Sequence, residues 1–317
     1  MKLVFWTIGN ARTASTRLRV HQYLPLLQQD GIAVECHEIP KGFLQRKVLR
    51  LKLPKAGHLF VQKKLFGPRT VSDLRRHCTR LVFDVDDAIY VDGEGSQRNQ
   101  TRFAQITRAA DSVLAGNPTL AKATADPKKA TVLPTPVDTD VFSPGPWSDR
   151  DPNCVAWIGS RTNLKNLDLF FPAFEQHRKQ FPKTHLVVMA DRAPEPCPDG
   201  VRFEPWDPES EKALLKRATL GIMPLYDTPF TRGKCGFKIL LYQAAGLPVL
   251  ASPVGVNPSL VLGGHELAND SEGWVQGLAR AFETPDDLRA RGEAGREKVH
   301  RESSLTALYP KFRDLIT

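Results

Sequence analysis

The stretch Arg232-Gly233-Lys234-Cys235-Gly236-Phe237-Lys238-Ile239-Leu240-Leu241-Tyr242-Gln243-Ala244-Ala245-Gly246-Leu247-Pro248-Val249 reads as three pieces in a row. A glycine turn leads into a short buried helix that stops at Gly246, and a strand starts at Pro248. The small residues Ala244 and Ala245 allow that helix to pack closely on a sheet. At its start stands Gly236, with Lys234 and Lys238 on either side. Exposed N–H groups, a helix dipole and two ammonium groups together suit a diphosphate. A turn carrying two solvated lysines reads the same residues equally simply.

A helix that runs straight into a buried strand is one unit of a β-α-β series, and the rest of the chain repeats the alternation. Upstream, strands are expected at Leu3–Ile8, Ile32–His37, His58–Gln62, Arg80–Val85, Ser112–Ala115 and Thr131–Leu133. Asn117-Pro118 supplies a cap and a proline for the helix after the fifth strand. Pro134, Pro136 and Ser143-Pro144-Gly145-Pro146 look like a linker, centred on Asp138 to Pro152. The alternation then restarts at Val155–Ile158, Leu186–Met189, Val201–Phe203, Leu220–Leu225 and Pro248–Ala251. Asp207-Pro208-Glu209 and Thr284-Pro285-Asp286-Asp287 each look like a helix start of the cap-proline-acid kind. A last helix, Ser304 to Ile316, has no strand after it. The economical architecture is α/β, with two doubly wound sheets in tandem and ligands at the carboxyl ends of their strands.

Size and composition agree with that reading. A chain of 317 residues suits two α/β domains, and 41% hydrophobic with 25% charged residues is ordinary for a globular protein. Five scattered cysteines without C-x-x-C spacing point to a reducing compartment, and the cytoplasm is expected. The apolar run at the N-terminus is too short for a signal peptide, and nowhere do 18 apolar residues run together. The net charge of +9 is local: between Lys41 and Arg80 stand twelve Lys or Arg and one acid, Asp73. Within it, Leu44, Val48 and Leu51 fall on one helical face, ringed by Arg46, Lys47, Arg50 and Lys52. That pattern suits peripheral attachment to an anionic inner membrane face, and equally an ordinary helix with a solvated basic side. A nucleic-acid partner is not expected, since no recognition motif accompanies the charge.

The opening stretch resembles the donor-binding helix of glycosyltransferase family 4, the group 1 glycosyltransferases, whose pattern ends in an Ala-Ala-Gly-x-Pro-Val run. The resemblance extends along nearly the whole chain. It takes in Ser15-Thr16-Arg17-Leu18-Arg19, Tyr23-Leu24-Pro25-Leu26-Leu27 and Phe83-Asp84-Val85-Asp86-Asp87-Ala88. Further along it includes Ala115-Gly116-Asn117, Pro134-Thr135-Pro136-Val137-Asp138, Trp157-Ile158-Gly159-Ser160, Met223-Pro224-Leu225 and Arg291-Gly292-Glu293-Ala294-Gly295-Arg296-Glu297. It implies a GT-B fold: two Rossmann-like domains facing across a cleft, with the C-terminal helix returning to the first. Residues 1–140 with 304–317 would bind the acceptor, and residues 150–303 the nucleotide-sugar.

The implied reaction is a retaining transfer of a sugar from a nucleotide diphosphate donor to an envelope glycan, lipid-linked or other acceptor, with no metal or other cofactor. Gly159, Ser160, Arg161 and Lys165 fall where the family contacts the diphosphate. Lys234, Gly236, Phe237 and Lys238 would lie opposite them. Lys238 and Arg161 would stabilise charge on the leaving phosphate. Trp206, at a strand end, is a candidate to flank the base, or simply a core aromatic. Arg17, Asp84 and Asp86 are expected at the acceptor, and Asp87 as acceptor of the proton from the attacking hydroxyl. Capping of the next loop explains the same carboxylates as well. Asp84-Val85-Asp86 also matches the metal-binding Asp-x-Asp of the single-domain GT-A transferases.

One departure from the family stands out. Two glutamates, the second of which binds the donor ribose, correspond to Gly233 and Leu241 in this chain. This keeps two further readings open: a non-catalytic, transferase-like nucleotide-binding subunit, and a GT-B epimerase or phosphorylase.

Overall fold

The computed structural model describes residues 2–40, 42, 57–91, 97–261 and 267–317. The basic amphipathic stretch from Phe43 to Lys52 lies outside the described residues. Two units make up the chain: Met1–Pro136 with Arg232–Cys235 and Leu305–Thr317, and Val137–Thr231 with Gly236–Ser304.

The first unit holds a six-stranded parallel sheet in the order β2-β1-β3-β4-β5-β6. Its strands are β1 (Lys2–Thr7), β2 (Ala33–Glu38), β3 (His58–Gln62), β4 (Arg80–Val85), β5 (Ser112–Ala115) and β6 (Ala130–Val132). Inner parallel strands are covered on both faces, so they read as continuous apolar runs, and alternate side chains enter opposite cores. In β1, Val4 and Trp6 join Val61, Phe83 and Phe103 on one face, while Leu3 and Phe5 join Tyr23, Leu27 and Phe60 on the other. The helix Leu305–Ile316 belongs to this second layer. Its Leu308, Phe312 and Ile316 are buried there, and Phe312 stacks on Tyr23 with ring centres 3.8 Å apart. The last helix therefore stabilises the first unit although it follows the second in sequence.

The second unit holds a five-stranded parallel sheet in the order β11-β10-β7-β8-β9. These strands are β7 (Cys154–Ile158), β8 (His185–Ala190), β9 (Val201–Pro205), β10 (Leu220–Met223) and β11 (Val249–Ala251). Strand order reverses between β7 and β10. In a doubly wound sheet the crevice beyond the carboxyl ends at such a reversal is the ligand site.

Local chemistry sets two of the expected helix starts. Asn117 and Asp207 cap their helices with side-chain oxygens that accept from Leu120 N and from Glu209 N and Ser210 N. Thr284 does not: its hydroxyl donates back to Arg280 O at 2.8 Å, so the helix Pro285–Glu302 starts without a side-chain cap. The expected linker also needs correction. Residues 138–152 are part of the second unit, where Arg296 and Asp138 tie them down. Arg296 donates to Thr139 O and Phe142 O, each at 3.4 Å, and Asp138 Oδ1 accepts from Asp140 N and Val141 N at 3.1 Å.

Candidate functional site

In the second unit, Gly159 follows β7 directly, at the strand-order reversal. The helix Phe237–Ala244 begins after Gly236, which adopts φ +64°, a left-handed conformation that glycine takes without strain. A side chain there would also collide with Leu260, whose Cδ1 stands 2.2 Å from the ideal Cβ position. The helix is anchored from below. Tyr242 is fully buried, and its hydroxyl accepts from Ile158 N at 2.9 Å, pinning the helix to the last residue of β7. Burial pushes the Tyr242 phenol up, so it stays neutral.

That anchoring brings Lys238 to Gly159. The Lys238 Nζ lies 4.1 Å from the centre of the Trp157 ring, and a Cβ on Gly159 would stand 2.9 Å from the same nitrogen. A glycine turn and a cation at a helix start thus meet at one corner of the sheet. Ser160 and Arg161 continue the turn. Arg161 N donates to Asp191 Oδ1 at 2.6 Å, and the Arg161 guanidinium, 71% exposed, leans toward the same carboxylate. Asp191, just past β8, thus holds the loop and went unnoticed in the sequence. Lys165 is exposed farther along the 3-10 helix Arg161–Leu169. Trp206 is half-buried against the core beyond β9. Phe237 is half-buried on that same core, and Lys234 falls in the Arg232–Cys235 stretch of the first unit.

The glutamate departure has a physical reason at Gly233. A Cβ there would stand 2.5 Å from the Ala88 Cβ, so the position has no room for a glutamate. Leu241 is 2% exposed and part of the apolar core of the second unit.

In the first unit, the carboxylates at the end of β4 and just past it form a buried charge network. Arg19 Nε donates to both Asp84 oxygens at 3.0 Å, and its Nη1 donates to Leu133 O at 3.0 Å. Asp84 is 1% exposed and fully engaged. The expectation that Asp84 binds an acceptor is therefore corrected: it is the counter-ion of Arg19. Lys63 Nζ sits 2.9 Å from Asp86 and also bonds Asp87. Burial opposes charge on Lys63, but Asp86 and Asp87 outweigh it and hold the ammonium well above the usual range. Asp86 feels burial in the opposite sense, yet Lys63, Arg19 and the Ser15 hydroxyl hold it below the ordinary carboxylate value. Lys63 adopts φ +47°, alone among the described non-glycine residues, which is strained backbone at a charged cluster. Of the three carboxylates Asp87 is the most exposed, at 27%. Arg17 is half-buried on the helix Ala14–Arg19. Cys235 donates from Sγ to Asp86 O at 3.0 Å, and Asn117 Nδ2 donates to Gly233 O and Lys234 O. These contacts fasten Arg232–Cys235 beside the network. Among the described residues no group of His, Cys, Asp or Glu is arranged to hold a metal ion. Among them too, no helix is long and apolar enough to cross a membrane.

Residues 152–284 match the sequence profile of the family described as Glycosyl transferases group 1. The D-inositol 3-phosphate glycosyltransferase of Segniliparus rotundus is 29% identical over 219 residues, which is 60% of this chain. The match covers 48% of that relative, so the chain spans about half the length of the curated protein it matches. HepE of Anabaena, solved in complex with UDP and glucose, superposes with a TM-score of 0.75. That comparison covers 99% of this chain and 98% of HepE at 14% identity. The lipopolysaccharide outer core galactosyltransferase WaaB, in its apo form, superposes at 0.66 and 12% identity, over 100% of this chain and 99% of that one. The chain is group 1 glycosyltransferase-like, on a GT-B fold. In this GT-B chain the family profile spans the whole corner built by Gly159, Trp157 and Lys238.

Proposed function

We propose that the chain is a glycosyltransferase that takes its sugar from a nucleoside-diphosphate donor, with UDP as the first nucleotide to test. The observation that carries this reading is Lys238 against Gly159 at the strand-order reversal of the second unit. A diphosphate there meets a fixed ammonium and the amino end of the helix Phe237–Ala244. Both stabilise negative charge as the sugar–phosphate bond breaks. Arg161 adds a second cation, on the turn that follows Gly159. Transfer with retention of configuration, independence of metal, and an envelope glycan or lipid-linked acceptor held by the first unit belong to the same proposal. Asp87 is its candidate proton acceptor, and attachment to an anionic membrane face its expected setting. HepE with UDP and glucose supports the donor class, and the Segniliparus rotundus glycosyltransferase supports the transferase reading.

Calorimetry with UDP and with uridine tests it. UDP is expected to bind the native chain far more tightly than uridine, and Lys238→Ala is expected to remove most of that difference. Activity should persist in EDTA, and NMR of the product should show the donor's anomeric configuration. Equal affinity for UDP and uridine would overturn the donor assignment.

Leu241 in the core and the lack of space at Gly233 favour one second reading, a nucleotide-binding subunit without turnover. UDP binding without release of UDP from any UDP-sugar, with or without acceptor, would select it.

A further inference from the structure

The buried guanidinium of Arg150 has no counter-ion among the described residues. It is 6% exposed; Nη1 donates to Leu215 O at 3.1 Å and to Ala218 O, and Nη2 donates to Ala245 O at 2.7 Å. Nε, also buried, has no hydrogen-bond partner. The acids on either side in sequence turn elsewhere: Asp149 accepts from Ser148 Oγ at 3.0 Å, and Asp151 from Asn153 N at 2.9 Å. Carbonyls satisfy donors but carry only partial charge, so burial prevails and pushes the Arg150 pKa down to about 10. A full negative charge beside this group would be stabilised. Nε and Nη2 form one of the edges by which arginine grips a carboxylate with two parallel bonds.

Arg150 lines a concavity of about 420 Å³, wholly within the second unit. Asn153 and Thr219, also in its wall, stand one residue before β7 and one before β10, so it lies at the amino ends of these strands. The donor corner at Gly159 is at the other end of β7, roughly 17 Å away at about 3.3 Å per residue. The rest of the wall is largely apolar, with Trp147, Phe181, Phe282 and Leu288. The Arg150 Cζ lies 5.1 Å from the centre of the Trp147 ring. The Phe181 and Phe282 rings are held by the buried His177, at 4.6 Å and 5.0 Å between ring centres. Aromatic walls beside an unmatched buried cation suit a ligand with both complements, a flat apolar body and one carboxylate.

We propose that the second unit binds an aromatic carboxylate here, with its rings against Trp147, Phe181 and Phe282 and its carboxylate toward Arg150. The site goes beyond the donor assignment and does not depend on it, since UDP is proposed at the other end of β7. Calorimetry on the full chain tests it, with 2-naphthoate and indole-3-acetate as probes. The uncharged analogue is 2-naphthamide, and acetate is the carboxylate without rings. At least one of the two acids should bind with Kd below about 1 mM, and 2-naphthamide and acetate roughly tenfold or more weaker. In NMR the acid should shift an arginine Nε–H resonance that is missing from Arg150→Lys, and its ring protons should show NOEs to the Leu288 methyls. Arg150→Lys should weaken the acid roughly fivefold or more. That variant also loses carbonyl contacts, so if it unfolds, the acid–amide comparison and the NOEs on the native chain decide. Saturating UDP and Lys238→Met should both leave the acid's affinity unchanged, which separates this site from an anion held at the donor corner. Binding by neither acid, equal affinity for 2-naphthamide and 2-naphthoate, NOEs that miss Leu288, or displacement by UDP would overturn the proposal. Failure of UDP to bind, with the acid still bound, would count against the donor corner alone.

Discussion

Lys238 Nζ stands 4.1 Å from the centre of the Trp157 ring, with Gly159 so close that any side chain there would meet the ammonium. The ring's negative face holds the cation without neutralising it, and the glycine leaves the turn open. Lys238→Met keeps most of the stem that packs on Trp157 and removes only the charge. Its expected effect is a roughly ten- to hundredfold loss of UDP affinity, the scale of a charge-assisted phosphate contact, with uridine affinity unchanged. Titration calorimetry with both ligands checks it. An equal loss for uridine would mean that the helix, and not the charge, had been damaged.

Arg19 and Asp84 are both buried and satisfy each other, so removing one strands the other. Arg19→Met is expected to destabilise the first unit by about 3–5 kcal/mol, because an unpaired buried carboxylate is left behind. Arg19→Met with Asp84→Leu should recover most of that loss. Chemical denaturation of the two single variants and the double variant gives the coupling. Additive losses would contradict a closed pair.

The contrast between β4 and Asp84 explains how much the sequence revealed. Strand β4 was legible because an inner parallel strand is buried on both faces and leaves an unbroken apolar run, Leu81 to Phe83. The same holds for the other inner strands, and for the last helix, whose Leu308, Phe312 and Ile316 keep helical spacing. Asp84 was read as a ligand group because a carboxylate at a strand's end usually faces the crevice. Its partner Arg19 is 65 residues away in sequence, and no local pattern records such a pairing. Lys63 and Asp191 escaped notice for the same reason. Arg150 is a further case: buried, it donates to Leu215 O, Ala218 O and Ala245 O, closing the ends of two helices. At Gly236 and Lys238 the reading was local, since the glycine and the helix start lie within a few residues of each other, whereas Gly159, far upstream, was joined to them only through the family resemblance.

His177 makes the second unit sensitive to acid. It is 3% exposed, lies 4.6 Å from the Phe181 ring centre and 5.0 Å from that of Phe282, and bonds Thr184 Oγ1 at 3.2 Å. Burial lowers its pKa from 6.5 to about 4. Between those values the unfolded chain binds a proton that the folded chain refuses. The neutral imidazole's contribution is therefore complete above about pH 6.5 and is lost as pH falls toward 4. The full effect is on the order of 3 kcal/mol. Denaturation midpoints measured from pH 7.5 to 4 should fall for the native chain, and His177→Phe should flatten that part of the profile. An unchanged slope in the variant would assign the acid sensitivity to other groups.

Gly233 and Ala88 touch so closely that the absence of a glutamate follows from packing. A Cβ at Gly233 would lie 2.5 Å from the Ala88 Cβ, 3.1 Å from its N and 3.3 Å from its Cα. Ala88 is itself fully buried beside the charge network, so it has no solvent to retreat into. Asn117 holds the Gly233 carbonyl from the other side at 2.9 Å, which keeps the stretch from backing away. Gly233→Ala is therefore expected to destabilise the chain by about 1–3 kcal/mol, the usual cost of overpacking a closed core. Gly233→Glu should cost more and should gain no UDP affinity, because its carboxylate begins in the clash. Ala88→Gly in the Gly233→Ala background removes the nearest contact and should restore part of the stability. Thermal melts of the three variants, paired with UDP titrations, read both outcomes. A Gly233→Glu chain that melts like the native one and binds UDP more tightly would show that the stretch yields, and that packing does not account for the missing glutamate.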